Sequence, residues 1–426
     1  MQRRRFMGLT AAGAAAAAIS PALTACGTGS GGSGEVTLKV VAADYGDSSA
    51  NSSQKYWDKL ARAFEAKHKD IKVDVTILSW TEIDKRLGEM VKKGEAPDIA
   101  QIGAYADFAA EGKLYRADQM LSIPTQAGFI DSIARAGEVK RVAYGLPFVS
   151  SARLFFYNKG LFDQAGITSV PETWAELKEA AVQLKAIGVK IPYGLPLGPE
   201  EGQGEALMWL LGGGGGYSDS NGSYTIDSTQ NIKTLEWLRD ELVGKGLTGP
   251  DAPARTNRQD IFDAFTRGEV GMLNGHPTLM QQADGHGIKY GTAPLPGRDG
   301  KSTSTLGVAD WIMAFKQNGN RRQAGLFLDF LYDRKNVLDF TTQYDLLPVT
   351  TKASEEMRKE TQYKRLWKFL DELGTAQFYP VDKTSWATVN QNLKNKIGAA
   401  VAKGGDPAGV LSEVQREADA MESAAS

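Results

Sequence analysis

Val36-Thr37-Leu38-Lys39-Val40 alternates apolar and polar side chains, the period-two pattern of a half-buried strand, and runs into Ala42-Ala43-Asp44-Tyr45-Gly46. Beyond it Trp57, Leu60, Ala61 and Phe64 recur at helical spacing up to Lys69, with charged residues between them. Val73, Val75 and Ile77 alternate again and end at Ser79-Trp80. This is strand, helix, strand. Ile83, Leu87, Met90 and Val91 predict a second helix, and the turn Gly94-Glu95-Ala96-Pro97 feeds a third short strand from Asp98 to Ile102. Strands alternating with helices predict a mainly parallel, doubly wound α/β sheet, whose ligand sites lie beyond the carboxyl ends of its strands. Those ends are Asp44-Tyr45, Trp80 and Gly103-Ala104-Tyr105.

The second half of the chain repeats the style. Thr173-Trp174-Ala175-Glu176, after Pro171, is a capping box opening a helix through Leu177, Ala181 and Leu184. Further helices are predicted over 205–211, 231–243, 258–267, 321–331, 355–373 and 385–401, with strands over 290–296 and 307–315. The run Gly212 to Gly216 has no Gly-Lys-Ser or Gly-Lys-Thr after it, so it is no phosphate loop and reads as a flexible turn.

Upstream, Arg3-Arg4-Arg5-Phe6-Met7 precedes an alanine-rich apolar run too short to span a bilayer, and Leu23-Thr24-Ala25-Cys26 follows. A cationic start, a short apolar stretch and small residues before a cysteine form a lipoprotein export signal. Cys26 is the one cysteine of the chain, so no disulfide or thiol metal site competes for it. Residues 1–26 are thus expected to be the leader, with Cys26 lipidated at the outer face of the cell membrane. Two or more acyl chains make such an anchor stable. Residues 27–34, Gly and Ser apart from Thr28, are expected to be a flexible tether. The start also resembles a twin-arginine signal, although a general secretory leader is likewise basic. No later segment is apolar enough to span a membrane.

The remaining chain, from Glu35 to Ser426, has the length for two domains. The formal charge is −2, and removing Arg3, Arg4 and Arg5 with the leader takes it to −5, which argues against a nucleic-acid surface.

Several motifs occur in one order: Gly94-x-x-Pro97-Asp98-Ile99, Tyr144-Gly145-x-Pro147, and Phe156-Tyr157-Asn158-Lys159-x-x-Phe162-x-x-Ala165-Gly166. They continue with Pro171-x-Thr173-Trp174-x-Glu176-Leu177, Phe265-x-x-Gly268-x-x-x-Met272-x-x-Gly275 and Leu346-Leu347-Pro348. In this order, behind a lipoprotein leader, the chain resembles the extracellular solute-binding proteins of bacterial ABC importers, in the carbohydrate branch that includes maltose-binding protein. The resemblance covers nearly the whole mature chain. It implies a two-lobed α/β periplasmic-binding-protein fold with doubly wound sheets, crossover hinges and an interlobe ligand cleft. The first lobe would take 35–148 and 290–346, the second 149–289 and 347–426. It further implies a monomer that closes on a carbohydrate and delivers it to ABC permease subunits with a cytoplasmic ATPase, without a cofactor.

A sugar has apolar C–H faces and a belt of hydroxyls, so its receptor needs flat rings beside hydrogen-bonding groups. Trp80 at a strand end, followed by Glu82 and Asp84, is a cleft candidate. Asp44 and Tyr45 share that placement, with a surface turn as the competing reading. Glu205 and Trp209, four residues apart, would set a carboxylate and a ring on one helix face. Asp310-Trp311 interrupts an apolar strand with a carboxylate, a costly place for a charge without partners. Tyr344 is a further candidate, as is Trp386, for which the core reading is stronger. By the resemblance, Tyr105 lies where relatives contact ligand, while its neighbour Asp107 equally suits a helix cap. His276 stands where relatives carry an aromatic contact; a structural histidine is the alternative.

Enzyme signatures are missing. His68, His276 and His286 form no HExxH, no Gly-x-Ser-x-Gly elbow occurs, and the adjacent Glu200-Glu201 do not establish the spacing of a glycosidase pair. Arg153 and Arg255 look isolated, so a neutral sugar is expected over an anion. A polyol or other small polar solute is the nearest rival, and a secreted glycoside hydrolase a more distant one.

Overall fold

The structure, a computed structural model, describes residues 35–46, 49, 51–80 and 82–425. The expected leader, Cys26 and tether lie outside the described residues. The strands are β1 (Val36–Ala43), β2 (Ile71–Leu78), β3 (Ile99–Ile102), β4 (Glu138–Val139), β5 (Val142–Ala143) and β6 (Leu146–Ser151). They continue as β7 (Leu154–Asn158), β8 (Ile191–Gly194), β9 (Val270–Gly275), β10 (Tyr290–Ala293) and β11 (Val308–Ala314). Two larger sheets form, in the orders β2-β1-β3-β11-β6 and β10-β7-β9-β8, and β4 pairs with β5.

The opening strand-helix-strand reading holds. β1 runs parallel to β2, with Val36 opposite Ile71, and parallel to β3, with Val40 opposite Ile99. The helix Gln54–Lys67 buries Trp57, Leu60, Ala61 and Phe64, the residues whose spacing predicts it. The first sheet is nevertheless mixed rather than mainly parallel, because β11 runs antiparallel to both β3 and β6. β11 comes from the second sheet through residues 294–307, not by a helical crossover that would force it parallel.

From sequence, residues 290–346 belong with the first lobe. In the structure β10 pairs antiparallel with β7, Tyr290 opposite Asn158, and so lies in the second sheet. The C-terminal half differs as well. The helix expected over 355–373 is broken into Thr351–Lys359, a 3₁₀ turn Thr361–Leu366 and Trp367–Leu373. Their buried side chains, Met357, Leu366, Phe369 and Leu373 among them, join a cluster that also holds Leu154, Phe156 and Leu273 of the second sheet, and Phe369 lies 6.3 Å from Phe156 of β7. The second core takes up the chain again at Trp386.

β7 shows how the two cores are separated. Leu154 and Phe156 belong to the first and Phe155 to the second, since successive side chains on a strand point to opposite faces. With both faces covered, β6, β7 and β9 are almost continuously buried and carry no polar alternation.

The glycines after the helix Gly202–Gly212 form a close contact rather than a loose turn. A Cβ at Gly213 would overlap Thr234 Oγ1, and one at Gly215 would overlap Asn231 Oδ1, so helix Thr229–Trp237 approaches the backbone directly. Among the described residues no helix is long and apolar enough to cross a membrane.

The capping box at Thr173 forms as expected. Glu176 N donates to Thr173 Oγ1 at 3.2 Å, and Thr173 N donates to Glu176 Oε2 at 3.0 Å. The helix Trp174–Ala186 that it opens buries Trp174, Leu177, Ala181 and Leu184 in the second core. Thr173→Ala leaves the Glu176 amide without this acceptor and is expected to lower stability by about 1 kcal/mol in urea unfolding; an unchanged midpoint would show the cap to be dispensable.

Candidate functional site

The predicted site residues fall into two groups. The first lies at the carboxyl ends of β1, β2 and β3, next to the start of the antiparallel β11. Tyr45 is its centre. Its phenol donates to Asp310 Oδ2 at 2.6 Å and accepts from Gln101 Nε2 at 3.0 Å. Gln101 is fully buried on β3, and its Oε1 accepts from the Ala43 amide at 3.0 Å, which fixes the orientation of its side-chain amide. With Gln101 as donor, the phenolic proton must point to Asp310.

Burial raises the Tyr45 phenol well above its usual value, and the Asp310 charge adds to this, so it stays a donor. Burial likewise pushes the Asp310 carboxyl up to about 6, against the Tyr45 hydrogen bond and with help from the Asp84 charge. Strand-end position alone does not point to Gln101. A polar residue inside the apolar run Ile99-Ala100-Gln101-Ile102 was the available signal, because such a group is buried only with partners.

Trp80 leaves 39% of its surface exposed and sets its ring edge-on to Tyr45, with centroids 5.3 Å apart. Tyr344 lies 5.7 Å from the same ring, with its hydroxyl donating to the Asn51 carbonyl at 2.8 Å. Asp44 serves its own loop. Burial acts to raise its carboxyl, but the amides of Ser53 and Gly46 and the Ser52 hydroxyl outweigh it and hold the group below its usual range. These bonds, 2.8 to 3.0 Å long, fit the surface-turn reading.

Trp311 and Tyr105 do not join this group. Asp310 and Trp311 are strand neighbours and therefore face opposite ways, so a single sheet face cannot hold both. Trp311 is 1% exposed, and its ring packs on Tyr105 with centroids 5.4 Å apart. Tyr105 is buried with its hydroxyl donating to the Ala136 carbonyl at 2.8 Å. A stacking surface at either residue does not fit this burial.

The second group surrounds the start of helix Gly202–Gly212 and the end of β9. Glu205 and Trp209 do share a helix face: Trp209 Nε1 donates to Glu205 Oε1 at 2.8 Å. Asn274 Nδ2 and the Tyr193 hydroxyl donate to the same oxygen at 3.1 and 3.3 Å. Glu205 is only 3% exposed, and burial raises its carboxyl to about 8 despite these three donors. Trp209 is a core ring among Tyr193, Trp174 and Trp237.

Arg153, Glu201, Glu205, Arg258, Asn274 and His276 line a small cavity of about 10 Å³, close to the space one water needs. Arg153 is not isolated: its Nη2 donates to Glu201 Oε1 at 2.7 Å. Arg258 binds Glu200 Oε1 at 2.5 Å, and its Nε lies 2.7 Å from Glu201 Oε2. It also approaches His276 Nε2 at 2.6 Å. A guanidinium only donates, so Nε2 accepts and the imidazole proton sits on Nδ1, directed to Thr278 Oγ1 at 2.7 Å. Burial, then the charges of Arg153 and Arg258, keep His276 neutral by lowering its value well below 6.5. No group of three or more potential metal ligands occurs among the described residues.

A profile of the bacterial extracellular solute-binding proteins matches residues 48–337. The chain is a bacterial extracellular solute-binding protein. Among relatives, a binding protein of Brucella abortus (strain 2308) is 28% identical to this solute-binding protein over 374 residues, covering 86% of this chain and 89% of its own. The sn-glycerol-3-phosphate-binding periplasmic protein of Escherichia coli (strain K12) is 23% identical over 349 residues, covering 72% and 74%. Among solved structures, the cyclic alpha-maltosyl-1,6-maltose binding protein from Arthrobacter globiformis matches with TM-score 0.77 at 19% identity, covering 91% of this chain and 99% of its own. Maltose-bound MalE3 of T. maritima matches with TM-score 0.73 at 20% identity, covering 91% and 100%. The two-lobed periplasmic-binding-protein fold expected from the motifs is therefore present, with mixed sheets.

The Glu205 carboxyl yields a pH prediction. Its value is about 8 in the fold against 4.5 in an unfolded chain, so the folded state holds the proton more tightly. The resulting stability is complete below 4.5 and is lost as pH rises through about 8. Between about pH 7 and about pH 9, above the ranges of Asp310 and His276, the unfolding midpoint should fall more steeply in the wild type than in Glu205→Gln. Parallel curves would contradict a protonated Glu205.

Proposed function

We propose that this solute-binding protein is a lipid-anchored carbohydrate receptor. It captures a neutral mono- or oligosaccharide between its lobes and passes it unchanged to an ABC permease driven by a cytoplasmic ATPase. The observation that carries this reading is the exposed Trp80 ring beside the Tyr45–Asp310 pair. A ring stacks on the C–H face of a pyranose while an adjacent carboxyl meets its hydroxyls.

Sheet membership supports one lobe built on β1, β2, β3, β6 and β11 and another built on β7, β8, β9 and β10. In this reading Glu205, Asn274 and His276 form the facing wall. The paired arginines favour a neutral solute. The E. coli relative is named for a phosphorylated one, but here Arg153 and Arg258 are already engaged by Glu200 and Glu201, and a phosphate would have to displace those carboxylates. The lipid anchor rests on the basic start, the short apolar run and Cys26.

The test is thermal unfolding of the body from Glu35 against mono-, di- and oligosaccharides, polyols and glycerol phosphate, followed by chromatography of each hit. A solute at a hundred times its Kd stabilises by about 2.7 kcal/mol. One sugar that raises the midpoint and is recovered intact is the expected result. A shift with only a polyol or the phosphate would name a different solute class, and cleavage would name a hydrolase.

With that sugar, Trp80→Ala should weaken binding by about 1 to 3 kcal/mol in calorimetry without moving the unfolding midpoint, and unchanged affinity would remove Trp80 from the site. Trp311→Ala should instead destabilise the fold by about 3 to 5 kcal/mol, the cost of an emptied aromatic site.

Cys26→Ala should leave an unlipidated precursor that no longer partitions with membranes. Normal membrane retention of this variant would defeat the lipobox assignment.

A further inference from the structure

Two stretches connect the two sheets, and a third, between two helices, is bonded to them. Ala152-Arg153 joins β6 to β7, residues 294–307 join β10 to β11, and residues 374–385 join helix Trp367–Leu373 to helix Trp386–Ala400. Thr305 Oγ1, from the second stretch, donates to the Arg153 carbonyl at 2.9 Å. Gln377 N, from the third, donates to Thr305 O at 2.8 Å, and Gly307 N returns a bond to Gln377 O at 2.9 Å. A bend between the sheets therefore turns about one small region.

Arg153 sits in the shortest of these stretches and is 5% exposed. Its guanidinium forks. Nη1 donates at 3.0 Å to Ser151 Oγ, at the end of β6 in the first sheet, and Nη2 donates at 2.7 Å to Glu201 Oε1. Glu201 immediately precedes helix Gly202–Gly212, the element that carries Glu205, and its other oxygen lies against Arg258, which in turn holds His276. Gln203 on that helix donates at 3.5 Å to the Tyr379 hydroxyl of the third stretch. One side chain thus touches the first sheet, the junction and the support of the second group of site residues.

Arg153 is buried and Glu201 partly so, so separating the pair would strand the guanidinium charge, which is costly, and its planar fork fixes direction as well as distance. Rotation of helix Gly202–Gly212 relative to β6 must strain or break the fork. We propose that Arg153 is the positioning residue that sets the angle between the lobes in the solute-free protein, with Glu201 as its partner. Because both residues also line the small cavity beside Glu205 and His276, a solute group entering there meets the same pair. Occupancy and lobe angle are then coupled through one ion pair.

This inference rests on the two-lobed cleft proposed above, but its test needs no solute, so failure to find a sugar does not bear on it. The full chain with Cys26→Ser has no other thiol. Spin labels are placed at Lys92→Cys and Lys233→Cys, exposed positions on a helix packed against β1 and β3 and on a helix of the second core respectively. Pulsed dipolar spectroscopy then reads the label separation without solute.

The parent should show one narrow distance distribution. Arg153→Met and Glu201→Gln should shift it or broaden it about twofold, as states held off by the pair become populated. Arg153→Lys, which keeps the charge but cannot fork, should give an intermediate width. Distributions superimposable on the parent in all three variants would overturn the proposal. Should Arg153→Met fail to fold, Glu201→Gln decides, since it keeps the side-chain shape and removes only the charge.

Discussion

Tyr45 and Asp310 stand 265 positions apart in the chain and are joined by a 2.6 Å hydrogen bond. The first wall of the site depends on that bond. It requires β1, β3 and β11 to be neighbours, and it requires β11 to enter antiparallel so that its first residues reach the carboxyl ends of the parallel strands. Gln101 completes the arrangement by holding the β1 backbone with one side-chain atom and the Tyr45 phenol with another. A half-buried carboxyl with a raised value, a phenol locked as donor and an exposed indole then occupy one sheet end. Such a surface offers apolar area and hydrogen-bond acceptors together, which suits a hydroxylated solute better than a purely apolar one.

The second group follows a different rule. Its charges are mutually satisfied: Arg153 and Arg258 against Glu200 and Glu201, with Glu205 and His276 held neutral by burial. A pocket built this way presents many hydrogen-bonding atoms and little net charge. It therefore discriminates by geometry more than by long-range attraction. The same network reaches the stretch between β6 and β7, where Arg153 donates to Ser151 and to Glu201.

Much of the fold was legible because its signals are local. The period-two runs of β1 and β2, the helical spacing of Trp57 to Phe64 and the Thr173 capping box depend on near neighbours alone. β6, β7, β8 and β9 carry no such signal, because elements buried on both faces show no alternation. The partner of β10 is decided by tertiary pairing, which no local period reports.

The placement of the candidate site residues was legible in proportion to how far each residue acts alone. Trp80 and Tyr45 at strand ends, and Glu205 with Trp209 at helical spacing, follow from position in their elements. Trp311 falls in the core, because alternation sends it and its strand neighbour Asp310 to opposite faces. Arg258 and the pairing of Arg153 are contacts across 48 or more residues, invisible to spacing. The most direct measurement is a crystal structure of the body with the carbohydrate that stabilises it most. A pyranose ring stacked on Trp80, with hydroxyls on Asp310 and on the Glu205–His276 side, is the predicted result; the same sugar bound elsewhere, with Trp80 still exposed to solvent, would contradict the account.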